Sequence, residues 1–198
     1  MTSILVLCTG NVCRSPIAEG MLRDALQRRF GSQGVSVASA GTAGWEGSGA
    51  MPESVQAAAE RGVDIGGHVA QRLTPGMLQR SDLVLCMAGE HRDHVGAVFP
   101  EAAARAFTLK ELARLTEEEP PDHAQGPDVL VERVRAADAA RRAGSGGNPH
   151  DEDVADPLGM SLESYRAIAW ELEVWIERLV RGVFGPSEAP APAVAEEA

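Results

Sequence analysis

The apolar run Ile4-Leu5-Val6-Leu7 opens directly onto Cys8-Thr9-Gly10-Asn11-Val12-Cys13-Arg14-Ser15-Pro16, and this junction constrains the fold more than any other stretch. An unbroken aliphatic run suits a strand buried on both faces, and hence a parallel sheet covered by helices. Ser15 before Pro16 reads as an N-cap with proline at the first helical position. Ile17, Met21, Leu22, Ala25 and Leu26 then share one helical face, and Gly31 can stop the helix. A loop between such a strand and such a helix can turn several backbone N–H groups towards one anion, with the positive end of the helix dipole behind them. The same field favours a thiolate at Cys8, which could attack phosphorus in line and carry the phosphoryl group. Arg14 presents a planar fork matched to two phosphate oxygens. Gly10 is expected to supply positive φ, while Asn11 tolerates left-handed geometry or ties the loop to its surroundings. Ser15 could also hydrogen-bond the thiolate. Cys8 alone would read as a buried core residue, but the whole octet after a strand outweighs that reading. A Gly-x4-Gly-Lys nucleotide loop is absent.

The rest of the chain keeps the strand–helix alternation of a parallel sheet. Val35 to Ser39 reads as a second strand, followed by the loop 40–47, which carries Trp45. A helix is expected from Pro52 to Arg61, a third strand at Leu83 to Met87, and a short fourth at Ala104 to Phe107. Thr108-Leu109-Lys110-Glu111 is a capping-box pattern that opens the next helix. The expected fold is a single α/β domain, a four-stranded, mostly parallel sheet flanked by helices, with the phosphate loop at the C-terminus of the first strand. Beyond Thr116 the composition shifts to Glu, Pro, Asp, Gly and Arg, so 116–152 is expected to be a surface insertion. Within it 129–142 has helical character and 144–148 reads as a flexible linker. Leu162, Tyr165, Ala169, Leu172, Ile176 and Leu179 give a long last helix. The domain is thus expected over 1–184, with 185–198 a disordered Ala-Pro and acidic tail.

The net charge of −11 argues against a nucleic-acid partner or an anionic membrane surface. It does not exclude an anionic substrate, which a local N–H nest can hold. The N-terminal apolar run is too short for a signal segment, and nothing approaches the length of a membrane span. Three cysteines without disulfide spacing suit a reducing, cytoplasmic location.

The segment Val6 to Pro16 resembles the signature of the low-molecular-weight protein tyrosine phosphatase family. Ser39-Ala40-Gly41-Thr42, His68 with Arg72 and Leu73, and Asp82 to Met87 extend the resemblance, which covers residues 3–181 apart from the insertion. It implies Cys8 as nucleophile, Arg14 as phosphate clamp and an aspartate of an Asp-Pro loop as general acid, which Asp156-Pro157 supplies. By itself an Asp-Pro pair is usually a turn; beside the Cys-x5-Arg loop it reads as the acid, with Asp153 second. The resemblance also implies that Ser39 bonds into the loop through Asn11. His68 could do similar work or be satisfied locally; Trp45 stands where relatives wall the substrate groove and reads equally as a packing residue, and with Leu158 one wall of that groove is missing or rebuilt. Thr9, Gly10, Asn11, Val12, Cys13 and Ser15 complete the phosphate-binding loop. No cofactor and no metal are expected; His91 and His94, at i, i+3 spacing, read as a solvated helix face.

The implied reaction is hydrolysis of phosphomonoesters through a phosphocysteine, with a phosphoprotein partner whose phosphotyrosine is the first choice of substrate. Two departures bear on that choice. Leu158-Gly159 follows the Asp-Pro pair where phosphotyrosine-specific relatives often carry aromatics, and Val12 stands where relatives acting on phosphoarginine carry threonine. The stretch Asp156-Pro157-Leu158-Gly159 with Ser161, Glu163 and Tyr165 nevertheless resembles that of the phosphoarginine relatives, so a protein arginine phosphatase is the alternative reading. An arsenate reductase would need a relay cysteine after Cys86, and none follows. A non-catalytic phosphate-binding module would be expected to have lost Cys8, Arg14 or the acid. Cys8 and Cys13 could also form a disulfide that protects the nucleophile from over-oxidation.

Overall fold

The structure is a computed structural model, and it describes residues 2–31, 34–145 and 151–187. Strand β1 (Thr2–Cys8) lies at the centre of a sheet ordered β2-β1-β3-β4, with β2 at Val35–Gly41, β3 at Leu83–Cys86 and β4 at Ala106–Thr108. Every neighbouring pair is parallel. The alternation of side chains along the strands divides the interior in two. Ile4, Val6, Leu83, Leu85 and Phe107 face a core built with α1 (Arg14–Phe30), α2 (Pro52–Ala59), α5 (Leu109–Glu117), α6 (Val129–Arg142) and α7 (Leu162–Phe184). Leu5, Leu7, Val84, Cys86 and Ala106 face a smaller core closed by α3 (Pro75–Arg80), α4 (Gly89–Val98) and the short 3-10 helix Pro100–Arg105. Both faces are covered, which is why β1 and β3 could be uninterrupted aliphatic runs.

This arrangement positions the site. The chain runs from β1 to β2 on one side and then crosses back to β3 on the other, so the strand order reverses at β1 and the crevice at the strand C-termini opens beside Cys8. Register places Cys8 opposite Gly41 and Leu7 opposite Cys86, which brings three strand ends to one point. At Gly41 a Cβ would sit 2.5 Å from the Thr9 carbonyl oxygen. Glycine there lets β2 close onto the loop after β1.

Several local expectations shift. β3 ends at Cys86, leaving Met87 beyond it, and β4 begins at Ala106 because residues 104 and 105 belong to the 3-10 turn. The capping box forms: Thr108 Oγ1 accepts from Glu111 N at 3.1 Å, and Glu111 Oε2 accepts from Thr108 N at 3.3 Å. The stretch 116–152 is not only surface. Helix α6 buries Leu130, Val134 and Ala137 in the larger core, and burial of each larger aliphatic contributes about 1.5–3 kcal/mol. Most of the expected 144–148 linker and of the expected disordered tail lies outside the described residues. Among the described residues no helix is long and apolar enough to cross a membrane.

Candidate active site

The loop Cys8–Ser15 closes on itself around the thiol. Cys8 is 2 % exposed, and its Sγ lies 2.9 Å from Ser15 Oγ and accepts from Asn11 N at 3.3 Å. Asn11, with φ of 57°, is the positive-φ residue of the loop. Gly10 is not left-handed, contrary to expectation; what it contributes is space, since a Cβ there would meet Val12 Cγ2 at 3.3 Å. The strain at Asn11 is held by its side chain and carbonyl together. Its Nδ2 donates to Ser15 Oγ at 2.9 Å and to Ser39 Oγ at 2.8 Å, and its Oδ1 accepts from Gln71 N at 2.8 Å. The carbonyl of Asn11 lies 2.8 Å from His68 Nε2. Ser39 Oγ in turn donates to Glu19 Oε2 at 2.6 Å, and His68 Nδ1 lies 3.9 Å from the same oxygen. One side chain thus joins the loop to α1, β2 and the 68–71 segment.

Ser15 is not an N-cap. Helix α1 already includes Arg14, its cap is Cys13, and Ser15 sits buried in the first turn with its hydroxyl turned to Cys8 and Asn11. The loop therefore runs straight into a helix N-terminus, whose partial positive charge faces the thiol.

Arg14, 4 % exposed, crosses the opening of the loop. Nη1 donates to the Val154 carbonyl at 3.0 Å, and Nη2 donates to Thr9 Oγ1 at 3.3 Å and to Asp156 Oδ2 at 2.6 Å. Its buried Nε has no hydrogen-bond partner among the described residues. Asp156 is the outer wall of the site: its side chain is 42 % exposed, and Oδ1 accepts from Leu158 N at 3.1 Å in a turn that Pro157 anchors in the interior. Asp153 is occupied elsewhere, accepting from Gly89 N at 2.7 Å. Cys8, Thr9, Gly10, Val12, Cys13, Arg14, Ala43, Trp45, Asp156 and Leu158 line a small pocket. Trp45 is 48 % exposed and fixed by its backbone, which donates to the Gly10 carbonyl at 3.0 Å. Leu158, 43 % exposed, lies at the rim with it.

Two cysteines and one histidine complete the surroundings. Cys13 Sγ lies 3.6 Å from the buried Tyr165 Oη, and burial pushes its thiol up. Cys86 is sealed in β3 facing the smaller core, where burial likewise raises its thiol. His91 is not on the solvated face that its spacing predicts: it is 1 % exposed, with Nε2 3.0 Å from Thr9 Oγ1. Burial, and then the Arg14 guanidinium, push its pKa down to about 4. Nothing in the helical spacing distinguished it from His94, which is half-buried. The contact with Thr9 arises only when α4 docks on the phosphate loop.

A histidine kept neutral by the fold makes stability depend on pH. Below its unfolded value of about 6.5 the unfolded chain takes up a proton that the folded ring refuses. Between about 6.5 and 4, stability therefore falls as pH falls. His91→Gln should flatten this part of the curve. Thermal melts of both proteins at pH 7 and pH 4.5 check it, and equal losses in the two would contradict the buried neutral ring.

Comparison with known proteins shows what the chain resembles. The model of the family described as low molecular weight phosphotyrosine protein phosphatase matches residues 3–126. A probable low molecular weight protein-tyrosine-phosphatase, EpsP of Ralstonia solanacearum, is 40 % identical over 146 residues, covering 68 % of this chain and 97 % of the relative. A protein-arginine-phosphatase of Geobacillus stearothermophilus is 32 % identical over 176 residues, covering 89 % of this chain and 92 % of the relative. Among solved structures, the Erwinia amylovora tyrosine phosphatase amsI superposes with a TM-score of 0.67 at 28 % identity, over 92 % of this chain and 93 % of that one. The YwlE arginine phosphatase of Geobacillus stearothermophilus gives 0.67 at 31 % identity, over 91 % and 92 %.

Proposed function

The chain belongs to the low molecular weight phosphotyrosine protein phosphatase family, and from that membership we propose how its residues divide the reaction and which phosphoryl group they accept. It is a cysteine-dependent phosphatase acting on phosphoproteins. The phosphate of the substrate enters the loop over Cys8, and the Arg14 fork leaves Asp156 for two phosphate oxygens. The unpartnered Arg14 Nε supports this reading, since a buried donor without an acceptor gains most from an incoming anion. The Cys8 thiolate forms an S–P bond as the ester P–O bond breaks, and Asp156 gives its proton to the departing oxygen. In the second step water attacks phosphorus, the S–P bond breaks, and Asp156 takes the proton of that water. Ser15 donates to Sγ as the thiolate departs. Thr9, Gly10, Val12 and Cys13 supply backbone to the nest; Asn11, Ser39 and His68 hold its shape.

The observation that carries the substrate reading is the character of the pocket wall. Val12, Ala43, Trp45 and Leu158 offer aliphatic and aromatic surface around the thiol, and Asp156 is the acidic side chain among the lining residues. A phenyl ring lies against such walls without unpaired polar atoms, whereas a guanidinium would find one carboxylate, Asp156, and leave its remaining donors against apolar surface. Phosphotyrosine is therefore the substrate group we assign. Phosphoarginine is the second reading, favoured by the likeness to the arginine phosphatase, which continues past residue 126 into the acid loop and α7. Peptides of one sequence carrying either group separate the two. We expect kcat/KM to favour phosphotyrosine by about tenfold or more, and a reversed order would transfer the assignment to phosphoarginine. On the same ground we read 1–184 as the phosphatase domain, with α6 as part of it.

A further inference from the structure

The segment that carries Asp156 is fixed residue by residue before it reaches the pocket. Asp153 Oδ1 accepts from Gly89 N at 2.7 Å, and Val154 N donates to the Met87 carbonyl at 2.8 Å. The Val154 carbonyl accepts from Arg14 at 3.0 Å. These ties reach the mouth of the site through α4 and the end of β3. Glu152 stands just ahead of them and differs in kind. It is 6 % exposed, and its Oε2 accepts from Arg92 Nη1 at 3.0 Å. The same Nη1 donates to Glu111 Oε2 at 3.0 Å. Glu111 is the capping-box residue of α5, 4 % exposed, and Arg141 of α6 lies 3.7 Å from the same oxygen. Arg92 thus joins α4, α5 and the acid loop at one nitrogen, and α6 buttresses the join.

Two buried carboxylates bridged by the Arg92 guanidinium, with Arg114 3.9 Å from the other Glu152 oxygen and Arg141 at the edge beside Glu111, are not the cheapest way to fill this space. Burial and the neighbouring Glu111 both push the Glu152 carboxyl up, against the pull of Arg92. A leucine would fill the space with less desolvation, but with no fixed direction, and a buried ion pair is best attested where it sets register.

We propose that Glu152 and Arg92 are positioning residues for the general acid: Arg92, pinned to α5 by Glu111, draws Glu152 inward and so sets where Asp156 stands over the phosphate loop. This rests on the reading of Asp156 as the acid. A carboxyl displaced by about 1 Å can cost up to roughly a hundredfold in a step that needs its proton. It costs nothing in a step whose leaving group departs unaided. Leaving-group dependence therefore separates a positioning role from a merely structural one.

The test compares kcat/KM for phenyl phosphate and 2,4-dinitrophenyl phosphate in Glu152→Gln, Glu152→Ala, Arg92→Lys and Asp156→Asn, with thermal melts of each. The phenol leaves poorly without a proton, having a pKa of about 10 like the tyrosine side chain. Loosening the pair should lower kcat/KM for phenyl phosphate by about tenfold and leave dinitrophenyl phosphate within about twofold. Asp156→Asn should show the same selectivity more strongly. Parallel loss on both substrates, or no loss on either, in Glu152→Gln and Arg92→Lys would overturn the proposal while leaving the acid in place. If Asp156→Asn itself treated the two substrates alike, the acid assignment would fall, and the positioning role with it. Arg92→Lys keeps the charge while removing the shared fork, so it reports even where Glu152→Ala is poorly folded.

Discussion

Replacing Cys8 by serine is expected to lower turnover of p-nitrophenyl phosphate by roughly 10⁴-fold or more, with binding of inorganic phosphate retained. The hydroxyl of serine is a far weaker nucleophile at neutral pH than a thiolate, and among the described residues no basic side chain hydrogen-bonds to the Cys8 sulfur; Asp156, in the same pocket, is paired with Arg14. The polar atoms at Sγ are Ser15 Oγ at 2.9 Å and Asn11 N at 3.3 Å. Both stabilise a negative sulfur and neither removes a proton from an alcohol. The fold around the position should survive, because serine is smaller and Asn11 holds the loop through Ser15, Ser39 and Gln71 without using sulfur. Phosphate affinity, measured by isothermal titration, should stay within a few-fold, since the N–H nest and Arg14 are untouched. Turnover persisting in Cys8→Ser would remove the phosphocysteine from the mechanism. Loss of both turnover and anion binding would instead show that the sulfur organises the loop.

Asp156→Ala should act in two opposed directions. With substrates whose leaving oxygen needs a proton, kcat/KM should fall by about 10²–10⁴-fold, the usual contribution of a positioned acid. Binding of phosphate should become tighter. Asp156 Oδ2 sits 2.6 Å from Arg14 Nη2, where a phosphate oxygen has to go, so the anion must displace a carboxylate. The Asp156 side chain is 42 % exposed, so solvent screens the pair and its worth is of the order of 1 kcal/mol or less. That corresponds to a gain in phosphate affinity of up to about fivefold. A variant slower in turnover and tighter for product has a signature that simple misfolding does not imitate. Weaker phosphate binding in Asp156→Ala would mean that the carboxylate orients Arg14 rather than competing with substrate.

Much of the fold could be read from local chemistry. The run Ile4–Leu7 is aliphatic because both sheet faces are covered, and the capping box at Thr108 and Glu111 is a short-range bond pattern visible in four letters. Helix α6 matches its expected limits, since its apolar spacing ends where glycine begins. What was misread depends on neighbours far away in sequence. Ser15 looks like a cap until Arg14 is seen inside the helix, held by Val154 and Asp156 from the other end of the chain. The left-handed turn falls on Asn11 rather than Gly10 because Ser39 and Gln71 repay the strain through its side chain. The i, i+3 spacing of His91 and His94 reads as a solvated face; His91 is buried because α4 docks it on Thr9 of the phosphate loop. The span 116–152 looked peripheral by composition, yet a few aliphatics at helical spacing seat it in the core. Composition averages over both faces of a helix, and packing uses one.

The ion pair between Arg14 and Asp156 joins positions 142 residues apart. During synthesis from the N-terminus, the nucleophile and its loop leave the ribosome long before the acid does. Strand β1 itself has no neighbours until β2 and then β3 have been made. A chain halted before Val154 would carry the thiol without the residue that protonates the leaving group, and without the carbonyl that steadies the guanidinium. Competence to cleave a phosphate ester is therefore gained late and as a unit, so that in this fold hydrolysis reports on the completeness of the molecule.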